Sequence, residues 1–172
     1  MTMRFALPTF AIAVALVAAT AIHAEDAPAP KVPSFADETA TSGLSHTFAG
    51  EWEFMVGGGT AAFDCNDDGF PDLFLAGGEK PAKFYRNISS RAGALKFTEE
   101  TSGLELDAGT GAYPLDVDSD GKTDLVILRV GEDVVMRGLG GCRFERANEA
   151  WNFDGGDAWS TAFAATWEEG RN

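Results

Sequence analysis

From Ser34 onward, apolar residues come in short runs separated by glycine-rich or acidic turns, and no long helical periodicity interrupts them. Such runs predict short strands. One set reads Gly59-Thr60-Ala61-Ala62-Phe63, Leu73-Phe74-Leu75-Ala76, Lys83-Phe84-Tyr85-Arg86 and Leu95-Lys96-Phe97-Thr98-Glu99. A second set reads Gly111-Ala112-Tyr113-Pro114-Leu115, Leu125-Val126-Ile127-Leu128, Asp133-Val134-Val135-Met136 and Cys142-Arg143-Phe144-Glu145.

The two sets are copies of one unit. Asp64-Cys65-Asn66-Asp67-Asp68-Gly69-Phe70-Pro71-Asp72 and Asp116-Val117-Asp118-Ser119-Asp120-Gly121-Lys122-Thr123-Asp124 both fit D-x-[DN]-x-D-G-x-x-D, and 52 residues separate Asp64 from Asp116. Four strands per repeat is the unit of a β-propeller blade, and a period this long points to stacked repeats. The expected fold class is all-β, a partial β-propeller of four-stranded antiparallel blades. Part-units flank the two whole blades. Upstream, Phe35-Ala36-Asp37-Glu38-Thr39 with Ser42-Gly43-Leu44 echoes residues 97–104, which predicts the closing strand of a preceding blade. Downstream, residues 159–167 are expected to open a third unit, where Glu168, Gly170 and Asn172 replace Asp116, Asp118 and Asp120. Two whole and two part-blades predict a fragment whose partners include the remaining blades of a longer chain; self-assembly of short chains into a ring is the competing expectation.

Ahead of the repeats, residues 1–24 read as a secretory signal peptide: Arg4, an apolar stretch over residues 10–19, and cleavage sites at Ala19-Thr20-Ala21 or Ala24. An uncleaved anchor is the rival, but the stretch is alanine-rich, contains Pro8 and is short for a span of about 20 residues. Residues 25–33, with three prolines, read as a linker, leaving residues 34–172 as the incomplete propeller domain. The expected location is secreted, periplasmic or cell-surface, without membrane insertion after cleavage. The formal charge of −14 makes nucleic acid and anionic lipid poor partners. In an exported chain, Cys65 and Cys142 either form a disulfide or serve as two small buried apolar residues.

Hard oxygen donors at alternate positions, with glycine where the chain turns sharply, are what calcium requires. An EF-hand is excluded, because its closing glutamate would fall on Leu75 or Ile127. The shell must instead close at Asp72 and Asp124. The first candidate site is therefore Asp64, Asn66, Asp68 and Asp72 with the Phe70 carbonyl. The second is Asp116, Asp118, Asp120 and Asp124 with the Lys122 carbonyl. Two bound Ca2+ ions are expected, structural in role, and four carboxylates against three predict tighter binding at the second. Magnesium suits such flexible all-protein loops poorly.

These residues resemble the FG-GAP or VCBS repeat family, the integrin-type β-propeller with calcium-binding D-x-D-x-D-G-x-x-D loops. Phe35-Ala36-Asp37-Glu38-Thr39, Ala62-Phe63-Asp64, Asp72-Leu73-Phe74-Leu75 and Phe84-Tyr85-Arg86-Asn87 are similar to its cartilage acidic protein and ASPIC-type branch. The resemblance implies an exported, non-enzymatic propeller used for adhesion or for binding a protein or glycan ligand.

Catalytic candidates are few. His46 is the only histidine after residue 24 and has no nucleophile motif beside it. Gly57-Gly58-Gly59 lacks the lysine of a phosphate loop and reads as close backbone packing. Trp52, Trp151, Trp159 and Trp167 read as core or inter-blade packing, with a carbohydrate-stacking platform as the alternative. Asn87-Ile88-Ser89 matches a glycosylation sequon by coincidence. The leading function is thus a binding or adhesion module. The alternatives are the propeller portion of a carbohydrate-active enzyme such as a polysaccharide lyase, with its active site in missing blades, and a purely structural repeat.

Overall fold

The computed structural model describes residues 32–166. The chain divides after Phe35, and residues 32–35 of its first part have no regular secondary structure. The signal segment 1–24, linker residues 25–31, Trp167 and the degenerate loop at Glu168, Gly170 and Asn172 lie outside the described residues.

The remainder is two antiparallel sheets, each a four-strand meander. Strands β1 (Thr60–Phe63), β2 (Asp72–Leu75), β3 (Lys83–Asn87) and β4 (Phe97–Glu99) pair in chain order. So do β5 (Gly109–Leu115), β6 (Asp124–Gly131), β7 (Val134–Gly140) and β8 (Arg143–Arg146). The eight strands follow the apolar runs of the sequence, and the two metal-type loops become the β1–β2 and β5–β6 connections. A two-residue strand, β9 (Ala158–Trp159), pairs with the end of β6 at Val130 and Gly131.

The core lies between the sheets. Ala61 and Phe63 of β1, Phe74 of β2 and Phe84 of β3 meet Leu125 and Ile127 of β6, Val134 and Met136 of β7, and Phe144 of β8. The Phe63 and Phe144 rings touch edge to face at 5.9 Å, joining the sheets directly. β6 is buried on both faces: Val126 and Leu128 point away from this core and, with Val135, pack under Tyr113, Trp151, Phe153 and Phe163. This chain therefore covers part of its own outer face. Close approach of the first strands of the two sheets depends on glycine, since a Cβ at Gly59 would sit 2.8 Å from the Gly111 Cα.

One expected strand does not form. Residues 35–38 are irregular and Thr39–Ser42 is one helical turn, α1. The Asp37 carboxylate accepts the Thr39 N–H at 2.9 Å, and the Thr41 and Ser42 hydroxyls bond back to carbonyls of the turn. Such local bonds favour a turn, and these residues lack the ladder partner that β3 gives β4. The echo survives further along. A side chain at Gly43 would run into the Phe97 carbonyl, as one at Gly103 would into the Phe144 carbonyl, so both Ser-Gly-Leu segments lean on a fourth strand. Of the expected third unit, the described residues form β9, and residues 160–166 belong to no strand.

Candidate metal centre

Both loops adopt one conformation. Asp67 and Ser119 at position 4 have φ of 60° and 59°, and Gly69 and Gly121 at position 6 have φ of 83° and 82°. Glycine at position 6 takes this left-handed conformation without the cost it carries for a residue with a Cβ. The first aspartate organises each turn. Asp64 Oδ2 accepts the Gly69 N–H at 2.7 Å and Oδ1 the Asp68 N–H at 3.2 Å. Asp116 does the same for Gly121 at 3.0 Å and Asp120 at 3.1 Å. The N–H groups of Phe70 and Lys122, whose carbonyls are the expected ligands, donate to Asp68 and Asp120.

The ninth residues play a second part. Asp72 and Asp124 are fully buried. Asp72 accepts the Cys65 N–H at 3.1 Å and the Asn87 N–H at 2.8 Å. Asp124 accepts those of Val117 at 2.7 Å and Gly138 at 2.8 Å. Each carboxylate thus ties the start of its loop to the third strand of its sheet. Burial pushes both pKa values up, against the opposing pull of these amide bonds.

In the second loop, the Asp116, Asp118 and Asp120 carboxylates bring oxygens within 4.8 Å of one another, a donor set for a hard divalent cation; Asp124 is not among those three. In the first, the Asn66 amide donates to Asp68 at 2.9 Å, while its Oδ1 is buried without a partner. An orphaned oxygen at position 3 fits a cation there, since a buried acceptor left unpaired is costly. Residues of both loops therefore fit the metal that their pattern implies.

The loops match the model of the FG-GAP-like repeat family over residues 64–127. Residues 64–127 carry an FG-GAP-like repeat. The match opens on the first loop aspartate and runs past Asp124, so both loops fall inside the FG-GAP-like region. Neither the curated proteins nor the solved structures contain a match.

Beside the first FG-GAP-like loop, Cys65 and Cys142 form a disulfide with Cα atoms 4.9 Å apart. It joins the β1–β2 loop to the β7–β8 turn. Cys65 Sγ lies 2.8 Å from Asp72 Oδ2 and Cys142 Sγ 3.7 Å away. Bonded to each other, the sulfurs carry no proton to donate and no thiolate for a metal, so these are packing contacts.

Sequence reasoning missed Arg137. Its guanidinium lies 3.0 Å from Asp118 Oδ2 and 3.5 Å from Asp120 Oδ2, and Lys122 Nζ lies 2.6 Å from Asp120 Oδ2. The Lys122 hydrogen bond leads in holding Asp120 below the usual carboxylate range. Only the β6–β7 register, Leu125 opposite Met136, shows that Arg137 stands over the loop.

The remaining candidates separate. His46 Nε2 lies 2.7 Å from the Ala76 carbonyl, a satisfied histidine. Asn87 is 6% exposed and donates to the Pro71 carbonyl at 2.9 Å, so the amide of the sequon is buried although Ile88 is exposed. Trp151 packs on the outer cluster as expected. Trp52 and Trp159, 69% and 41% exposed, instead stack edge to face at 5.5 Å on the surface; of the expected core or inter-blade packing, this pair is not core.

Proposed function

We propose that this chain is an exported, calcium-stabilised propeller segment that acts as a binding or adhesion module. One observation carries the reading: two loops of the same conformation, each anchored by a buried aspartate to its own sheet, set oxygen donors at the same corner of successive blades. Asp64, Asn66, Asp68 and Asp72 would hold one ion and Asp116, Asp118, Asp120 and Asp124 the other. A bound divalent cation neutralises carboxylates that repel one another when close. The protein's own part is to fix the loops: Asp64 and Asp116 shape the turns, and Asp72 and Asp124 fasten them.

The Cys65–Cys142 bridge supports export, because structural disulfides persist in oxidising compartments. The FG-GAP-like match supports an adhesion-type module. Ligand recognition is assigned to surface loops, not to the cation sites, since function resides in sites carried by a fold. The test is binding of the exported protein to arrays of glycans and extracellular proteins in calcium and in chelator. Calcium-dependent retention of a ligand supports the module. Turnover of a polysaccharide would replace it with the enzyme reading.

A further inference from the structure

We infer that Arg137 is a built-in counter-cation of the second loop, competing there with a divalent cation and reversing the affinity order that carboxylate counting predicts. The inference rests on the cation reading of the loops given above. The two sheets supply an internal comparison. Asn87 N–H bonds Asp72 Oδ1 as Gly138 N–H bonds Asp124 Oδ1, so the preceding residues, Arg86 and Arg137, are structural equivalents. Their side chains go to different places. Arg86 pairs with Glu100 at 2.7 Å. The residue equivalent to Glu100 is Ala147, because Tyr85 faces Glu99 and Met136 faces Arg146 in the two registers. Ala147 offers no carboxylate there, and Glu145, opposite Arg137 in the ladder, makes no ion pair with it; Arg137 turns to Asp118 and Asp120.

The placement also leaves Arg137 Nε buried and without a partner. Attraction to the carboxylates must offset that loss, so the contact is an electrostatic one. The charge balance follows. Residues 64–72 carry four aspartates and no basic residue, and no ion pair reaches them among the described residues. Three of those aspartates, Asp64, Asp68 and Asp72, are expected ligands; residues 116–124 carry four ligand aspartates, but Lys122 and Arg137 offset two of those charges, leaving two against three. Cation affinity in such loops follows ligand charge, so the first loop binds more tightly and the second is partly neutralised before any ion arrives.

The experiment isolates each loop in the full exported chain and titrates it with calcium. In an Asp68→Ala background, which leaves the second loop, Arg137→Gln should tighten calcium binding by at least about threefold. In an Asp120→Ala background, which leaves the first, it should change affinity less than about twofold, because Arg137 does not touch that loop. Unchanged or weaker binding at the second loop on Arg137→Gln overturns the inference. A thermal melt in chelator adds a reading without metal: Arg137→Gln should lower the midpoint more than Arg86→Gln, and an equal or smaller loss overturns the counter-cation role. Failure of both loops of the unmutated chain to take up calcium is a different result. It refutes the proposed function and with it the competition, leaving the chelator melt to judge the charge pairing alone.

Discussion

Cys65 and Cys142, 77 residues apart in sequence, are joined by a disulfide that bolts the first acidic loop to the last turn of the second sheet. The Cys142 N–H also donates to the Cys65 carbonyl at 3.3 Å, so backbone and sulfur bind the same corner. Closing so long a loop restricts the unfolded chain, and such bridges contribute about 2–4 kcal/mol. Thiol counting on denatured, unreduced protein should find no free thiol, and the Cys65→Ser, Cys142→Ser double variant should lose about that much stability in urea melts.

Asp72 and Asp124 should behave as structural anchors even without metal. Asp124→Ala strands the Val117 and Gly138 N–H groups in a buried place, each costing about 1–3 kcal/mol. Asp118→Ala removes an exposed carboxylate and its ion pair with Arg137 but strands no buried N–H group. Denaturant melts in chelator should therefore show a much larger loss for Asp124→Ala than for Asp118→Ala.

Much of this was legible from periodicity. All eight strands of the two sheets follow apolar runs, because a sheet with one face in a core needs alternation that side-chain chemistry displays directly. The loop acids were legible for the same local reason, as each turn is built from its own nine residues. What sequence could not show is set by pairing between distant strands. Arg137 reaches the second loop only through the β6–β7 register. Residues 35–39 resemble residues 97–101 yet form no strand, since only the latter have β3 beside them. Trp52 and Trp159, 107 positions apart in sequence, find each other on the surface.

Core and surface aromatics should separate sharply in melts. Phe74, fully buried between the sheets, should cost about 3–5 kcal/mol on Phe74→Ala. Trp52→Ala, at an exposed pair, should cost under about 1.5 kcal/mol.

Acid should erode the response to calcium. Burial raises the Asp72 and Asp124 pKa values above the ordinary 3.8, so the folded protein protonates these groups before the unfolded chain does. In chelator, lowering the pH through those raised values therefore relieves a folded-state penalty. Protons and calcium then compete for the same carboxylates. The calcium-induced rise in melting midpoint should shrink from pH 7 toward pH 4.5.

Calcium uptake itself is the most direct measurement. Isothermal titration of the purified chain, paired with melts in calcium and in chelator, should give two sites per chain. At a free concentration about a hundred times the dissociation constant, each site should add about 2.7 kcal/mol. Asp120→Ala should remove one site and leave the other. No binding heat, together with identical midpoints in calcium and in chelator, would contradict the account.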